Sequence, residues 1–300
     1  MSDIFDRIDA LKKEKNAVIL AHYYQNMDVQ RAADIVGDSF ELARRAKEAE
    51  ADVIVFCGVL FMAESAKILN PSRTVLLPVP DAGCPMADMI EPEHVLALRK
   101  KHPDAAVVCY VNSSAAVKAV SDVCCTSSSA VRICESLPED EIIFIPDRNL
   151  GSYIAGLLPN KTFILYDGYC PTHDRISEDD VLAAKKRHPN AKFAVHPECR
   201  ADVVAHADYV GSTKGILEYV ETSAHGEFLI GTENGIIDRL HVTAPGKTVH
   251  MLTPKFVCPN MKKTKIEDVL ASLENMRHEI TLTPEAIQAA LKPLERMIRL

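Results

Sequence analysis

The chain alternates short apolar runs with stretches that carry apolar residues at helical spacing. In its first third the apolar runs predict strands at 18–21, 53–56 and 74–77, and the helical spacing predicts helices at 3–15, 40–46 and 62–69. Short, continuously apolar runs are typical of parallel strands that are buried on both faces. The alternation of strand and helix therefore predicts right-handed βαβ units.

The same order of elements returns twice further along the chain. Helices are predicted at 91–101 and 179–187, with strands at 107–110, 142–145 and 163–165 and then at 193–195, 228–230 and 248–252. The two helices end in similar stops, Lys-His-Pro-Asp-Ala at 101–105 and Arg-His-Pro-Asn-Ala at 187–191. Segments 33–39 and 207–213 are interpreted as turns that lead into helices. Two final helices, at 266–276 and 284–298, have no strands of their own.

This repetition predicts the fold class. We expect an α/β protein with three pseudo-threefold-related αβα units, whose small parallel sheets surround a central site. The first unit would span 1–86 plus 265–300, closed by the C-terminal helices, the second 87–174 and the third 175–264.

A Cys-Pro pair stands near the end of each unit. Cys84, Cys170 and Cys258 each precede a proline, and the intervals between them are 86 and 88 residues. Proline fixes its own φ and biases the preceding residue toward an extended conformation, which stiffens the chain there. We expect each unit to deliver one thiolate to a common centre.

Pairs of polar residues recur at intervals of 88 and 86 residues at the ends of the first strands. The first members are His22, Tyr110 and His196, and the second members, two residues later, are Tyr24, Asn112 and Glu198. Alternate residues of an extended segment share a face. Because ligands bind at the carboxyl ends of parallel strands, the six side chains are expected to converge.

Hydroxyl residues recur in the same way at the predicted starts of helices. Ser39, Ser127 and Thr213 each follow an aspartate by five residues, namely Asp34, Asp122 and Asp208. A single hydroxyl at a helix start usually caps that helix. The threefold recurrence favours a different interpretation, a site where helix N-termini and hydroxyls bind phosphate or carboxylate.

Composition limits the classes of function. The 300 residues are 47% apolar and 25% charged, which is typical of a soluble globular protein. No apolar run is as long as a membrane span, and residues 1–15 have the pattern of a charged helix, so we expect a cytoplasmic protein without a membrane partner. A net charge of −8 argues against nucleic-acid binding, which normally uses a basic face, but not against small anionic substrates.

The cysteines point to a metal centre. Cytosolic thiols stay reduced, so this set favours metal binding or catalysis over disulfides. The sequence has no CxxC pair, which disfavours the usual structural zinc sites. Three separated thiolates suit a 4Fe-4S cluster with one iron left open, and such an iron can act as a Lewis acid. The remaining cysteines lie at apolar positions and are interpreted as core residues: Cys57, Cys109, Cys124, Cys125, Cys134 and Cys199.

Most histidines are expected at the surface. Besides His22 and His196 of the polar pairs, the exception is His173, three residues after Cys170, which could support a metal ligand through a hydrogen bond. The histidines assigned to the surface are His94, His102, His188, His206, His225, His241, His250 and His278.

The ordered motifs from the first helix to the last closely resemble those of the quinolinate synthase family. They are Ile-Leu-Ala-His-Tyr-Tyr-Gln at 19–25, Val-Gly-Asp-Ser at 36–39, Tyr-Val-Asn-Ser at 110–113, His-Pro-Glu-Cys at 196–199, Val-Gly-Ser-Thr at 210–213 and Gly-Thr-Glu at 231–233. The resemblance implies a transferase of NAD biosynthesis that condenses iminoaspartate with dihydroxyacetone phosphate to quinolinate, with loss of phosphate and water.

The resemblance also implies roles for individual residues. The ligands of a 4Fe-4S cluster with one open iron fall on Cys84, Cys170 and Cys258. The implied substrate-binding residues are His22, Ser39, Tyr110, Asn112, Ser127, His196, Glu198 and Thr213, and the implied catalytic residues are Tyr24, Glu198, His196 and His22. The implied partners are the two small anionic substrates and the enzyme that produces iminoaspartate, and the implied state is a monomer or weak dimer.

Two other classes of protein fit the cysteine pattern. One is another three-cysteine cluster enzyme, either a reductase that removes a hydroxyl from an isoprenoid diphosphate or an aconitase-like dehydratase. The other is a cluster-containing sensor or carrier. A sensor has no need of the six aligned polar residues, and this set therefore favours an enzyme.

Overall fold

A computed structural model describes residues 2–299 of the chain. Its strands form three separate four-stranded sheets, and every pairing between neighbouring strands within a sheet is parallel. The expected α/β fold of three αβα units is thereby confirmed. The boundaries given above for the units stay a prediction.

The first sheet has the strand order β2-β1-β3-β4. Its part of the chain contains α1 (Ser2–Glu14), β1 (Ala17–His22), α2 (Met27–Ala32), β2 (Ile35–Gly37), α3 (Ser39–Glu48), β3 (Val53–Cys57), α4 (Leu60–Leu69) and β4 (Thr74–Leu76). Every residue of β3 is buried, as a continuously apolar central strand should be.

The second sheet repeats this order as β6-β5-β7-β8. Its elements are α5 (Pro92–Lys101), β5 (Ala106–Tyr110), α6 (Ala115–Ala119), β6 (Val123–Cys125), α7 (Ala130–Ser136), β7 (Glu141–Ile145), α8 (Arg148–Leu157) and β8 (Thr162–Leu165), followed by the short helix α9 (Pro171–Asp174).

The third sheet has the order β10-β9-β11-β12, so the three sheets share one topology. Its elements are α10 (Glu178–Arg187), β9 (Lys192–Val195), α11 (Ala201–Val204), β10 (Tyr209–Val210), α12 (Thr213–Thr222), β11 (Glu227–Gly231), α13 (Gly235–Thr243) and β12 (Thr248–Met251). Two closing helices follow, α14 (Ile266–Asn275) and α15 (Pro284–Arg299).

Segments 33–39 and 207–213 are not simply turns, as the sequence suggested. Each contains a strand, β2 or β10, that pairs with the first strand of its unit. The repeated aspartate fixes this edge, because its Oδ2 accepts a hydrogen bond from a backbone N–H of that first strand. The distances are 2.8 Å for Asp34 and Ile19, 2.7 Å for Asp122 and Val107, and 2.9 Å for Asp208 and Phe193.

The closing helices cover apolar surface of the earlier units. Helix α14 packs against α1, α2 and β3. Helix α15 lies across α3 and α4 and also across α6 and β6, and Thr283 caps it by accepting a hydrogen bond from Ala286 N at 3.2 Å. One large core, which includes residues of all three sheets and of α15, joins the units. Among the described residues no helix is long and apolar enough to cross a membrane.

Candidate active site

A central cavity of about 210 Å³ lies where the carboxyl ends of the three sheets meet. Its lining contains every residue that the sequence analysis proposed for the site: His22, Tyr24, Ser39, Cys84, Tyr110, Asn112, Ser127, Cys170, His196, Glu198, Thr213 and Cys258. Their common position has a simple origin. Equivalent residues of three parallel sheets reach the same end of their strands, and those ends face one another.

Each cysteine of the cavity begins a tight helical turn. The carbonyl of Cys84 accepts from Asp88 N at 3.1 Å, that of Cys170 from Asp174 N at 2.8 Å, and that of Cys258 from Lys262 N at 3.3 Å. Each hydrogen bond spans four residues and encloses the proline, whose fixed φ suits the first position of a helical turn. The backbone around each Cys-Pro pair therefore has the same local hydrogen-bond pattern in all three units.

The three thiols lie in a desolvated environment and close to one another. Burial, together with the nearby charges of Cys258 and Glu198, raises the pKa of Cys84 to about 12. Burial also raises the pKa of Cys170, with added contributions from Glu198 and Cys84, and the pKa of Cys258. A metal centre would reverse this preference for the neutral thiol, because its positive charge stabilises thiolates.

The donor set fits an iron-sulfur cluster better than a structural zinc ion. Cys84, Cys170 and Cys258 are the cysteines that line the cavity, whereas the other six are fully buried in the sheets and helices around it. Three thiolates supply one ligand fewer than a closed tetrahedral site needs. They match a cluster in which one iron has no protein ligand.

Two histidines of the cavity have a fixed orientation. His22 Nδ1 accepts a hydrogen bond from Tyr24 N at 3.1 Å, and His196 Nδ1 accepts one from Glu198 N at 3.3 Å. In a neutral imidazole the other nitrogen then carries the proton, so Nε2 is a donor in both residues. The Nε2 of His196 lies 3.2 Å from Ser127 Oγ.

Burial keeps these imidazoles neutral. Desolvation lowers the pKa of His22 to about 3, although the charge of Glu198 opposes the shift. The pKa of His196 falls to about 4 for the same reason, again opposed by Glu198. At neutral pH both residues are uncharged donors of a hydrogen bond.

Glu198 is a buried carboxylate held ionised by its neighbours. Burial raises its pKa, but His196, His173 and the Tyr110 hydroxyl together outweigh this and lower the pKa to about 2. Tyr110 donates to Glu198 Oε1 at 2.7 Å, and His173 Nδ1 lies 2.8 Å from Oε2. Asn112 Nδ2 reaches Oε1 at 3.5 Å, while within residues 2–299 its buried Oδ1 has no hydrogen-bond partner.

A continuous chain of hydrogen bonds connects Glu198 with Tyr24. His173 Nε2 lies 3.0 Å from Thr232 Oγ1, and Thr232 Oγ1 lies 2.7 Å from the hydroxyl of Tyr24. The same tyrosine hydroxyl lies 2.7 Å from Thr213 Oγ1. Burial raises the pKa of Tyr24 well above its ordinary value, so the phenol keeps its proton at neutral pH. The chain can move a proton between a carboxylate and a phenol without solvent.

Ser39 and Thr213 do not act as helix caps. Asp38 caps α3 by accepting from Glu41 N at 3.0 Å, and Ser212 caps α12 by accepting from Gly215 N at 3.1 Å. Ser39 and Thr213 are instead the first residues of these helices and line the cavity. Ser127 differs, because it belongs to the turn before α7 rather than to a helix.

A salt bridge connects the third cysteine loop with the end of β1. The buried Glu233 accepts a hydrogen bond from Cys258 N at 3.3 Å and pairs with Lys262 at 3.2 Å. Lys262 Nζ also donates to the backbone carbonyl of Tyr24 at 2.7 Å. This link holds Tyr24 and Cys258 in one rigid arrangement.

Comparison with known proteins agrees with this geometry. Residues 6–299 match the model of the family described as quinolinate synthetase A protein. The chain is 52% identical over 293 residues to the quinolinate synthase of Caldicellulosiruptor saccharolyticus, covering 98% of this chain and 97% of that one. It is 51% identical over 297 residues to quinolinate synthase 1 of Methanosarcina acetivorans, covering 99% and 97% of the two chains. The quinolinate synthase of Clostridioides difficile is 47% identical over 298 residues, covering 99% and 98%.

The chain belongs to the quinolinate synthase family. The resemblance drawn from the motifs is therefore confirmed, and with it the expectation that the protein is an enzyme. Nothing in these comparisons favours a reductase, an aconitase-like dehydratase, or a sensor.

Two residues of this quinolinate synthase family member make contacts around the cavity that the sequence did not suggest. His173 was considered only as a support for a cysteine, yet its Nδ1 contacts both Glu198 and, at 3.2 Å, the Sγ of Cys170. Thr232 was noted within a motif but given no role. The sequence did contain a signal for Thr232. It is a polar residue directly after β11, and the carboxyl ends of parallel strands are where ligands bind.

The remaining histidine and cysteine expectations agree with the structure. None of the eight histidines expected at the surface is buried, and all six cysteines expected in the core are.

Proposed function

We propose that this chain is a quinolinate synthase, a transferase of NAD biosynthesis. It condenses iminoaspartate with dihydroxyacetone phosphate and releases quinolinate, phosphate and two molecules of water. The observation that carries the proposal is the convergence of three thiols and an acid–base chain on one cavity, in a member of this family. The alternative three-cysteine enzymes do not explain the chain from Glu198 to Tyr24.

Cys84, Cys170 and Cys258 are proposed as the ligands of a 4Fe-4S cluster. Their shared position in the lining and their intervals of 86 and 88 residues along the chain support this assignment. When bound, the cluster supplies a Lewis-acidic iron that can accept a lone pair from the substrate. The protein's own residues supply binding, orientation and proton transfer.

Hydroxyls and helix ends are proposed to hold the anionic groups of the substrates. Ser39 and Thr213 stand at the N-termini of α3 and α12, where free N–H groups and the helix dipole favour phosphate or carboxylate. Ser127 and the Nε2 donor of His22 add hydrogen-bond donors, whereas Asn112 Oδ1 is an acceptor and can only receive a hydrogen bond from a substrate N–H or O–H group. The cavity therefore suits small substrates that carry carboxylate or phosphate groups.

Glu198 and Tyr24 are proposed as the groups that move protons. Glu198 is ionised and can accept a proton from carbon or nitrogen, whereas Tyr24 is protonated and can donate one to a departing hydroxyl. His173 and Thr232 connect them, so the proton removed in one step is available in the next. His22 and His196, as neutral donors, orient the substrate oxygens.

The family assignment also implies the partners and the cellular location. The two small substrates and the enzyme that produces iminoaspartate are the proposed partners, and the proposed location is the cytoplasm. The proposed state in solution is a monomer or weak dimer. Light scattering of the purified protein measures this mass directly.

One assay tests the function. Cluster-loaded protein is mixed without oxygen with iminoaspartate and dihydroxyacetone phosphate, and quinolinate and free phosphate are measured. Equal amounts of both products are expected. Protein with an intact cluster that forms no quinolinate would rule the proposal out.

A further inference from the structure

A second group of metal-binding side chains lies on the third sheet, away from the central cavity. Glu227 is the first residue of β11, His250 belongs to the edge strand β12, and His188 directly follows α10. Glu227 is at the amino end of its strand, whereas the cavity lies at the carboxyl ends. Four residues of β11 separate the two levels, about 13 Å at the usual rise per residue.

The three side chains converge on one carboxylate oxygen. His188 Nδ1 lies 3.4 Å from Glu227 Oε1, and His250 Nε2 lies 3.2 Å from the same oxygen. The two imidazole rings stack with centroids 3.8 Å apart and 26° between their planes. One ligand atom from each residue lies within 4.8 Å of the others. Side-chain exposures of 27–33% leave the rings room to rotate toward a shared ion.

We propose that His188, Glu227 and His250 bind Zn²⁺ or a similar late first-row divalent ion. Two imidazole nitrogens and one carboxylate oxygen are a donor set that zinc accepts readily, with water in the fourth position. The set lacks thiolates and is poor in oxygen, so it disfavours both soft monovalent copper and Ca²⁺ or Mg²⁺.

The second unit provides an internal comparison. His102 and Glu141 occupy the positions equivalent to His188 and Glu227, 86 residues earlier, and His102 Nδ1 lies 3.6 Å from Glu141 Oε2. The position equivalent to His250 is Ile164, on β8. The second unit therefore has two of the three ligands and should bind zinc far more weakly than the third.

Bound metal would connect three elements of the third unit. It would join the end of α10 to the start of β11 and to β12, whose chain continues to Cys258. A ligand that binds only the folded state raises its stability. The proposal needs no assumption about the reaction in the central cavity.

Zinc binding to the cluster-loaded full-length protein tests this site. Equilibrium dialysis against Zn²⁺ without oxygen is followed by elemental analysis of zinc and iron. We expect one zinc ion per chain with the iron content unchanged. His250→Ile, which copies the second unit, and His188→Ala should each weaken zinc binding by about tenfold or more, since even indirect support of a metal ligand is worth that much. His102→Ala is the matched control and should bind zinc like the parent.

Zinc-edge X-ray absorption separates this site from the cysteines. Nitrogen and oxygen neighbours, without sulfur, are expected for the parent. Sulfur neighbours, or equal zinc binding by the parent and His250→Ile, would overturn the proposal. Iron content and quinolinate formation should be the same in all variants, which verifies that they fold.

Discussion

At the scale of single residues, one buried carboxylate has hydrogen-bonding neighbours on several sides in the cavity. Glu198 is 4% exposed and receives a hydrogen bond from Tyr110 while two imidazoles lie close to it. Donors around a carboxylate favour its charged form, and here they outweigh the cost of burial. The lowered pKa keeps Glu198 ionised at neutral pH.

Glu198→Gln should abolish most of the activity. The amide keeps the size of the side chain but cannot accept a proton, so the rate of quinolinate formation is expected to fall by about 100-fold or more. The measurement is turnover of cluster-loaded protein, with iron content as the check on the cluster. Glu93→Gln, on the exposed side of α5, is the control. Turnover within about threefold of the parent would remove Glu198 from the proton-transfer chain.

The neutral histidines make stability depend on pH. The pKa values of His22 and His196 are about 3 and 4 in the folded chain, below their ordinary value of 6.5. Below pH 6.5 the unfolded chain takes up protons that the folded chain does not. The free energy of unfolding should therefore fall between pH 7 and pH 5, by about 2 kcal/mol for each histidine.

Urea unfolding of the cluster-free chain at pH 7 and pH 5 measures this effect. His196→Asn should lose about 2 kcal/mol of this fall in the free energy of unfolding, whereas His225→Asn, at an exposed position, should keep all of it. The same pH dependence in His196→Asn and the parent would contradict the proposed origin. Glu198 does not contribute in this window, since its lowered pKa matters only below about 4.5.

At the scale of secondary-structure elements, α13 packs unusually close to the end of β1. A Cβ atom at Gly235 would lie 2.7 Å from the carbonyl oxygen of Tyr23 and 2.8 Å from the Cα of Tyr24. Both contacts are with backbone, which cannot move aside as a flexible side chain could. The packing of α13 against this backbone therefore restricts the position of Tyr24.

Gly235→Ala should move Tyr24 and impair the enzyme. Overpacking of this kind costs about 1–3 kcal/mol of stability, and we also expect kcat to fall because the tyrosine hydroxyl shifts. Thermal unfolding and steady-state kinetics are the measurements. Gly246→Ala is the control, since no neighbouring atom of residues 2–299 lies within 4 Å of the added carbon. Equal behaviour of the two variants would show that the close approach is unimportant.

The sequence predicts some elements of this fold better than others. The central strands β1, β5 and β9 were found because their apolar runs are continuous and buried. The edge strands β2 and β10 were taken as turns, because two or three residues are too short for a periodic pattern. Their pairing depends on the tertiary contact made by Asp34 or Asp208, which lies outside the strand itself.

Repetition along the chain also decides which residues of the cavity could be identified from the sequence. The polar pairs and hydroxyls were identifiable because all three units carry them in register. His173 and Thr232 have no such repetition, and their importance arises from contacts between units that local sequence does not encode. Residues that occur in one unit only, and that contact another unit, cannot be found from the spacing of repeated motifs.

At the scale of the whole molecule, α15 joins the first two units. Leu294 on this helix is fully buried, within the large core that spans the units. Leu294→Ala should lower the free energy of unfolding by about 2–5 kcal/mol, because it leaves a cavity in that core. Urea unfolding provides the value. Leu96→Ala, at a position that is 51% exposed, should stay within about 0.5 kcal/mol of the parent. A neutral Leu294→Ala would mean that α15 does not hold the units together.

The three units share one topology, and a Cys-Pro turn follows each sheet. We propose that each unit contributes one thiolate to a single cluster. The iron and sulfide content and the Mössbauer spectra of Cys84→Ser, Cys170→Ser and Cys258→Ser, reconstituted without oxygen, test this proposal. A 4Fe-4S cluster is expected in the parent and in Cys134→Ala, and its loss is expected in all three serine variants. A full, unaltered cluster in any one of the three would contradict it.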